Sequence, residues 1–286
     1  MTEAEAYVYC KQLAKSHYEN FHVASFFLPK PLRQPFHVLY AYCRCSDDIA
    51  DEHDGSPESR CNALQRLDDW QCQLEQCFEQ TEPNGETHPV FIALRSLLRH
   101  HALPREPFAD LLIAFRQDQT QRSYAAFDDL LNYCRYSANP VGRIILHLVC
   151  TPTEEQLLWS DSICTGLQLA NFWQDVRRDN ALGRCYIPQD VAGRFGVKLA
   201  GLHDSPEFRS MMKGLVADAR NRFQVGKPLM GSVPRFLRAD ISLFIRGGLA
   251  ILDAIEKIQY NVLEKRPVLS WWTKFCLLVR VRADGR

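Results

Sequence analysis

Apolar residues recur every three or four positions along nearly the whole of this 286-residue chain, and this periodicity restricts the fold more than any other feature. A recurrence of this kind describes one buried face of an α-helix. It predicts helices over 33–51, 59–79, 90–100, 107–115, 128–150, 154–179, 206–224, 236–263 and 269–281. No stretch alternates apolar and polar residues for long enough to require a strand. We therefore predict an all-α protein of about ten helices.

Proline and glycine are sparse and lie mainly between these periodic segments, for example in the turn-forming stretches 53–57, 81–85 and 231–234. Pro140 is different, because it lies inside the 128–150 segment, where a regular helix interior would lose about 3 kcal/mol. A kink or break is therefore expected near 139–142. No internal repeat, low-complexity tract or long linker divides the chain, so residues 1–286 are predicted to form one domain.

Composition excludes several functional classes. Lys and Arg number 34 and Asp and Glu also number 34, so nucleic-acid binding driven by bulk charge is not expected. The 46% of hydrophobic residues can fill a core, which excludes a disordered chain, yet no apolar run approaches the roughly 18 residues of a membrane span. The N-terminus lacks the apolar segment of a signal peptide, and the eleven cysteines form no C-x-x-C pair. A reducing cytoplasm is the predicted compartment.

Acidic residues gather at the end of the predicted helix 33–51. Asp47 and Asp51 stand four positions apart and share a face, whereas Asp48 points about 100° away from Asp47. Like charges at this spacing cost a helix about 0.2–0.5 kcal/mol per pair, and acids near a helix C-terminus oppose its dipole. A divalent cation bound to these carboxylates would offset the cost.

A second set of oxygen ligands lies in the predicted helix 154–179. Asn171, Asp175 and Asp179 follow one another at intervals of four and form a stripe along one face. Oxygen ligands without His or Cys suit a hard ion such as Mg²⁺. Arginines lie within one turn of both sets: Arg44, Arg177 and Arg178. Each set alone is equally typical of a solvated charged face, but two such sets on apolar helices favour a Mg²⁺–diphosphate site.

Three motifs carry a resemblance to a known family. They are Tyr40-Ala41-Tyr42-Cys43-Arg44-Cys45-Ser46-Asp47-Asp48-Ile49-Ala50-Asp51, the stretch 133–142 (YCRYSANPVG), and 171–179 followed by Gly-Arg-Cys-Tyr-Ile-Pro at 183–188. In this order and spacing they resemble the squalene/phytoene synthase family, the head-to-head prenyl transferases, over nearly the whole chain. The resemblance implies a single-domain helical bundle of the isoprenoid-synthase type with a central apolar cavity.

Finer features are similar to the bacterial hydroxysqualene synthase branch of hopanoid biosynthesis: 19–25 (ENFHVAS), the Asp-Asp-Ile-Ala-Asp-Glu form of the first motif, and 266–272 (RPVLSWW). Such enzymes take presqualene diphosphate, release diphosphate, and quench the rearranged carbocation with water to give hydroxysqualene. The sister reactions, which produce presqualene diphosphate, squalene or phytoene, stay open at this point. So does a catalytically silent assembly factor derived from the family.

The resemblance also assigns roles to individual residues. The expected metal ligands are Asp47, Asp48, Asp51, Asn171, Asp175 and Asp179. The expected catalytic residues are Tyr40, Arg44, Tyr133, Gln168 and Tyr186. The expected substrate-binding residues are Phe21, Phe26, Tyr136, Val141, Gly142, Arg178 and Arg184. Arginines would hold phosphate oxygens and aromatic faces would stabilise a carbocation, although packing in the core is the common role of such aromatics.

Cofactors and partners follow from the same resemblance. Mg²⁺ is the expected metal, with Mn²⁺ as a substitute. NADPH is not expected, because water rather than a hydride quenches the carbocation in the branch that the chain resembles. The lack of a G-x-G-x-x-G turn excludes only a Rossmann site, since reducing relatives bind NADPH without that fold. The expected partners are presqualene diphosphate and other isoprenoid diphosphates, together with neighbouring enzymes of the squalene pathway. The tail 269–280 combines tryptophans, aliphatics and basic residues, which suits peripheral contact at the inner membrane face, and packing on the core is the alternative.

Overall fold

The computed structural model describes residues 1–16, 29–51, 56–81 and 85–269, and no strand occurs in these ranges, which confirms the all-α prediction. The helices described are α1 (Glu3–Ser16), α2 (Lys30–Asp51), α3 (Pro57–Glu79), α4 (Pro89–Leu98), α5 (Glu106–Thr120), α6 (Phe127–Ser137), α7 (Asn139–Val149), α8 (Glu154–Ala181), α9 (Gln189–Arg194), α10 (Pro206–Gly226), α11 (Leu229–Ser232) and α12 (Arg235–Lys257). None of them is both long and apolar enough to cross a membrane.

The break expected near Pro140 is confirmed. Helix α6 ends at Ser137 and α7 begins at Asn139, so the proline occupies the first turn of a new helix, where its missing N–H costs nothing. At this break the Thr165 hydroxyl of α8 donates a hydrogen bond of 2.9 Å to the side chain of Asn139, the first residue of α7, and both residues are buried. The sequence pattern therefore located a true helix boundary.

Several helix limits differ from the prediction. The segment 236–263 was predicted as one helix, but α12 ends at Lys257, because Gln259 and Tyr260 take left-handed backbone angles of φ 53° and 63°. The pattern also missed α1 and the six-residue α9. The predicted helix 269–281 falls, apart from its first residue, outside the described residues.

The described chain divides into two compact units. The first contains Met1–Thr120 and Pro140–Pro152. Its core surrounds Tyr42 of α2, which is fully buried and donates a hydrogen bond of 2.9 Å to the carbonyl oxygen of Phe108. The Tyr42 ring also packs against Trp70 and Phe91, with ring centroids 6.2 Å apart in each case. Helix α2 is thereby fixed by side chains from α3, α4 and α5.

The second unit contains Gln121–Asn139 and the described chain from Thr153 onward. Its longest helix, α8, begins at a capping box in which Thr153 and Gln156 each bind the other's backbone N–H. Helices α10 and α12 pack on α8 through small residues. The fully buried Phe223 ring of α10 lies against Gly166 of α8 and Gly248 of α12, where a larger side chain would collide with it.

Candidate active site

The first acidic motif ends helix α2 in the first unit. Arg44 donates to Asp47 across 3.3 Å and also to Asp48, so one guanidinium group bridges both carboxylates. These pairs are partly exposed, and each is worth at most about 1 kcal/mol. The guanidinium group of Arg44 nevertheless places a positive charge beside the carboxylates, whose mutual repulsion is unfavourable at a helix end. Asp48 also lines a polar cleft with Tyr9, Arg66 and Asp69.

A carbonyl group at the end of α2 accepts a hydrogen bond from a side chain of α5. The Gln119 side-chain amide, which is fully buried, donates a hydrogen bond of 2.9 Å to the carbonyl oxygen of Ala50. This bond satisfies a group that has no partner inside the helix. It fixes the last turn of α2, which carries Asp47 and Asp51, against the core of the first unit. Asp51 itself is exposed.

The face of α2 that carries Tyr40 borders an apolar cleft of the first unit. Its lining is Phe36, Leu39, Tyr40, Cys43, Val141, Ile144 and Ile145. Burial raises the pKa of the Tyr40 phenol, and Asp48 and Asp47 add to this, while Arg44 opposes it. Val141 and the adjacent Gly142 lie in α7, so two predicted substrate-binding residues and one predicted catalytic residue belong to the same unit.

The second acidic motif lies near the end of α8 in the second unit. Asn171 is exposed, whereas the Asp175 side chain is only 18% exposed. Burial raises the pKa of Asp179 to about 6, and the neighbouring Asp175 charge adds to this, while Arg178, Arg184 and Arg266 oppose it. Burial is the main cause, so a cation bound beside Asp179 would favour its charged form.

The chain turns sharply after α8 and returns along it. Gly183 has φ 70°, a conformation that favours glycine, and the Arg184 N–H donates a hydrogen bond of 2.8 Å to the Asp179 carbonyl oxygen. This turn places the predicted Arg184 and Tyr186 beside the acidic stripe, because Phe172, Asp179, Arg184 and Tyr186 line one small cleft. Arg178 remains exposed on α8.

Aromatic side chains form a continuous group beside that cleft. Phe172 and Tyr186 stack with ring centroids 3.9 Å apart and planes 9° apart. Tyr133 and Tyr124 extend the group at centroid distances of 6.2 and 5.9 Å from Tyr186. Tyr133 and Tyr186, both predicted, are thereby brought together. Tyr124 was not predicted, because it lies in a loop outside every motif and outside the helical periodicity.

The remaining predicted residues are less closely associated with these groups. Gln168 is half-buried in α8, about one turn before Asn171. The Tyr136 ring lies 5.6 Å from the guanidinium carbon of its neighbour Arg135. Phe21 and Phe26 lie outside the described residues. Arg266 was missed as a site residue although it belongs to a stretch that matched the family: it donates two hydrogen bonds to Asp175.

The donor sets fit a hard cation that retains other ligands. Each motif offers carboxylates, and α8 adds the Asn171 amide, which matches the oxygen preference of Mg²⁺. No group of three or more His, Cys, Asp or Glu side chains converges in the described ranges. Mg²⁺ usually takes only one or two carboxylates and fills its shell with water and phosphate oxygens, so two carboxylates per motif are sufficient.

An all-α fold with oxygen stripes, arginines and stacked aromatics agrees with the resemblance to enzymes of the isoprenoid-synthase type. Comparison with known proteins narrows this class. The sequence model of the squalene/phytoene synthase family matches residues 14–273. The hydroxysqualene synthase of Rhodopseudomonas palustris is 34% identical over an alignment of 221 residues, which covers 75% of this chain and 71% of the relative. The chain thus belongs to the squalene/phytoene synthase family, whose members process isoprenoid diphosphates.

Two further relatives indicate the breadth of the similarity. The 15-cis-phytoene synthase of Synechococcus elongatus is 27% identical over 290 residues, covering 96% of this chain and 92% of that protein. The crystal structure of the squalene synthase HpnC of Alicyclobacillus acidocaldarius superposes with a TM-score of 0.84 at 37% identity, covering 91% of this chain and 96% of that one. The predicted fold type is confirmed by this match.

Proposed function

We propose that this protein is a hydroxysqualene synthase, which converts presqualene diphosphate and water into hydroxysqualene and diphosphate. The observation that carries the proposal is the 34% identity to the Rhodopseudomonas hydroxysqualene synthase over three quarters of the chain. The local structure supports it, because the arginines and carboxylates of both motifs lie close together within their own units. These are the groups that diphosphate departure requires.

The reaction begins when the C–O bond to the diphosphate breaks and the electron pair leaves with the diphosphate. Mg²⁺ bound to Asp47 and Asp51, and to Asn171, Asp175 and Asp179, would act as a Lewis acid that stabilises charge on the leaving group. Arg44, Arg178 and Arg184 would bind the remaining phosphate oxygens. Arg44 lies beside this site, and its guanidinium group is bound to Asp47 and Asp48 until a metal ion takes its place.

The carbocation that remains must be protected until it has rearranged. The stacked group of Tyr133, Phe172 and Tyr186 presents aromatic rings beside the Asp179 cleft, and an aromatic face attracts a cation by about 0.5–2 kcal/mol. Water then forms the new C–O bond and loses a proton. The net reaction exchanges diphosphate for hydroxide and changes no oxidation state, so it needs neither NADPH nor another reductant.

The deciding experiment is product analysis. The purified protein is incubated with presqualene diphosphate and Mg²⁺ in H₂¹⁸O without NADPH, and the lipid extract is examined by mass spectrometry. An ¹⁸O-labelled C30 alcohol is expected. Chelation by EDTA and the Asp175→Asn variant should each lower its formation by orders of magnitude. Asp190→Asn is the matched control, because Asp190 is exposed and pairs with Arg194 within α9.

Phytoene synthesis is the second candidate, because the phytoene synthases align with nearly the whole chain. Parallel incubations with farnesyl diphosphate and with geranylgeranyl diphosphate test it and the other sister reactions. Consumption of either substrate, with presqualene diphosphate left unchanged, would overturn the hydroxysqualene proposal. If none of the three substrates is consumed although metal and diphosphate raise the melting temperature, the protein is a silent binding member of the family.

A further inference from the structure

The segment that follows α12 lies along the acidic motif of α8, and we call residues 261–267 the strap. Three side chains join it to α8. Gln174 donates a hydrogen bond of 2.5 Å to the carbonyl oxygen of Pro267, and Arg177 donates one of 2.7 Å to that of Glu264. The third contact is different in kind, since the Arg266 guanidinium group binds the Asp175 carboxylate.

The Arg266–Asp175 contact engages the whole carboxylate. Nε of Arg266 donates to one oxygen of Asp175, and Nη2 donates to the other across 3.1 Å. A two-point contact of this kind is directional and stronger than a simple ion pair. Because it engages both oxygens of a predicted metal ligand, a metal ion could bind Asp175 only by displacing at least one of these hydrogen bonds.

The beginning of the strap is held elsewhere. The Asn261 amide donates a hydrogen bond of 3.1 Å to Asp204, and Asp204 in turn accepts hydrogen bonds from Arg209 of α10. Asp204 and Arg209, which form this anchor with Asn261, lie outside the acidic motif. Displacement of Arg266 would therefore remove the ion pair between the strap and α8 but leave the other two side-chain hydrogen bonds to α8 and the Asn261 anchor, so the strap would be loosened near Pro267 but not detached.

We propose that Arg266 is the internal counter-ion of Asp175, which a divalent cation displaces, so that metal binding loosens the end of the strap on α8. The proposal rests on the metal site of the proposed function and adds a positioning residue to it. In the metal-free protein, Arg266 supplies the positive charge that holds Asp175 in place. In the metal-bound protein, the cation supplies that charge and the guanidinium group moves away.

Removal of the competitor should strengthen metal binding. The side chain of Arg266 is 48% exposed and that of Asp175 18%, so the pair has intermediate screening. We expect Arg266→Gln to tighten Mn²⁺ binding by about fivefold, which corresponds to the upper range for a partly exposed ion pair. Arg266→Lys keeps the charge but loses the two-point geometry, so it should have an intermediate affinity.

The test uses the full chain with Mn²⁺ alone and no lipid substrate. Mn²⁺ affinity is measured by calorimetry and electron paramagnetic resonance, and amide hydrogen exchange is followed over 261–269. In the parent protein, exchange there should become faster when Mn²⁺ binds. In Arg266→Gln it should be fast with or without Mn²⁺. Asn261→Ala removes the neutral anchor of the strap on Asp204 and changes no charge near the acidic motif, so it should leave Mn²⁺ affinity unchanged.

The possible outcomes distinguish failure of the counter-ion proposal from failure of the metal site itself. If Mn²⁺ binds the parent and Asp175→Asn abolishes binding, but Arg266→Gln has the parent's affinity, the counter-ion proposal is wrong and the metal site stands. Strap exchange that does not respond to Mn²⁺ in the parent overturns the proposal in the same way. If Mn²⁺ does not bind the parent at all, both this proposal and the metal part of the proposed function are wrong. Product formation in H₂¹⁸O is judged separately.

Discussion

Two adjacent glycines in the middle of α12 provide a stringent test of how the second unit packs. A Cβ atom added at Gly248 would lie 2.3 Å from Cζ of Phe223, whereas one added at Gly247 would meet no atom within 4 Å. The Phe223 ring is fully buried, and on its other side a Cβ at Gly166 would lie only 3.2 Å away. The ring is therefore confined between α8 and α12 and has little room to move.

The expected free energies of the two alanine variants have opposite signs. Replacing a mid-helix glycine by alanine stabilises a helix by about 1 kcal/mol. At Gly247 nothing opposes this gain, so Gly247→Ala should be more stable than the parent. At Gly248 the collision adds an overpacking cost of about 1–3 kcal/mol. Because contact distances below 3.0 Å require a shift of the ring, the upper end applies, and Gly248→Ala should lose about 2 kcal/mol.

Urea and thermal denaturation of the two variants measure this difference. The two effects together separate the variants by about 3 kcal/mol, or about 5 °C or more in melting temperature. Adding Phe223→Leu to Gly248→Ala removes the ring atoms that collide, so the double-mutant cycle should show a favourable coupling of about 1 kcal/mol or more. Equal stability of Gly247→Ala and Gly248→Ala would refute the reasoning, since the two residues share a helix and differ only in their surroundings.

Three further predictions concern polar side chains that are buried or half-buried. Burial raises the pKa of Asp240 to about 8, so the folded protein keeps a proton that the unfolded chain releases. The stability of the folded protein should therefore fall as the pH rises from about 4 to about 8. The melting temperature of Asp240→Asn should exceed that of the parent by a margin that grows over this pH range. Gln119→Leu leaves the Ala50 carbonyl oxygen without its donor and should cost about 1–2 kcal/mol in urea denaturation. Since the pKa of Asp179 is about 6, protons compete with cations there, and Mn²⁺ affinity measured by calorimetry should rise from pH 5 to pH 7 and then level off.

Local features of the sequence predicted the fold well. Helical periodicity found most of the long helices, and the clash between a proline and a helix interior located the α6–α7 boundary. The same reasoning puts the end of α12 six residues beyond its observed end at Lys257. The left-handed conformations of Gln259 and Tyr260, which end the helix, cannot be recognised from the spacing of apolar residues. Helix α9 has six residues, which is too few for a period of 3.6 to be recognised.

Contacts between distant parts of the chain could not be predicted in this way. Arg266 and Asp175 are separated by 91 positions, and their contact depends on a strap whose path no periodicity describes. Tyr124 joins the stack of Tyr186 from a loop. In contrast, the Arg44–Asp47 and Arg44–Asp48 contacts follow directly from spacings of three and four on one helix. Local spacing determines which side chains can meet within a helix, whereas the tertiary fold determines the rest.

In both acidic motifs, an arginine offsets the repulsion among the clustered carboxylates. The sequence predicts that an external cation offsets the clustered carboxylates, yet each motif is already bound by an arginine of the same chain. Arg44 binds Asp47 and Asp48, and Arg266 binds Asp175. The metal-free fold can therefore tolerate the acidic residues without a large loss of stability. A metal ion that binds these carboxylates must then displace a guanidinium group, whereas it would meet no competitor at an unpaired carboxylate. At Asp47 this exchange would free Arg44 for phosphate oxygens, so metal binding and diphosphate binding should strengthen each other, and metal alone should bind more weakly than metal with diphosphate.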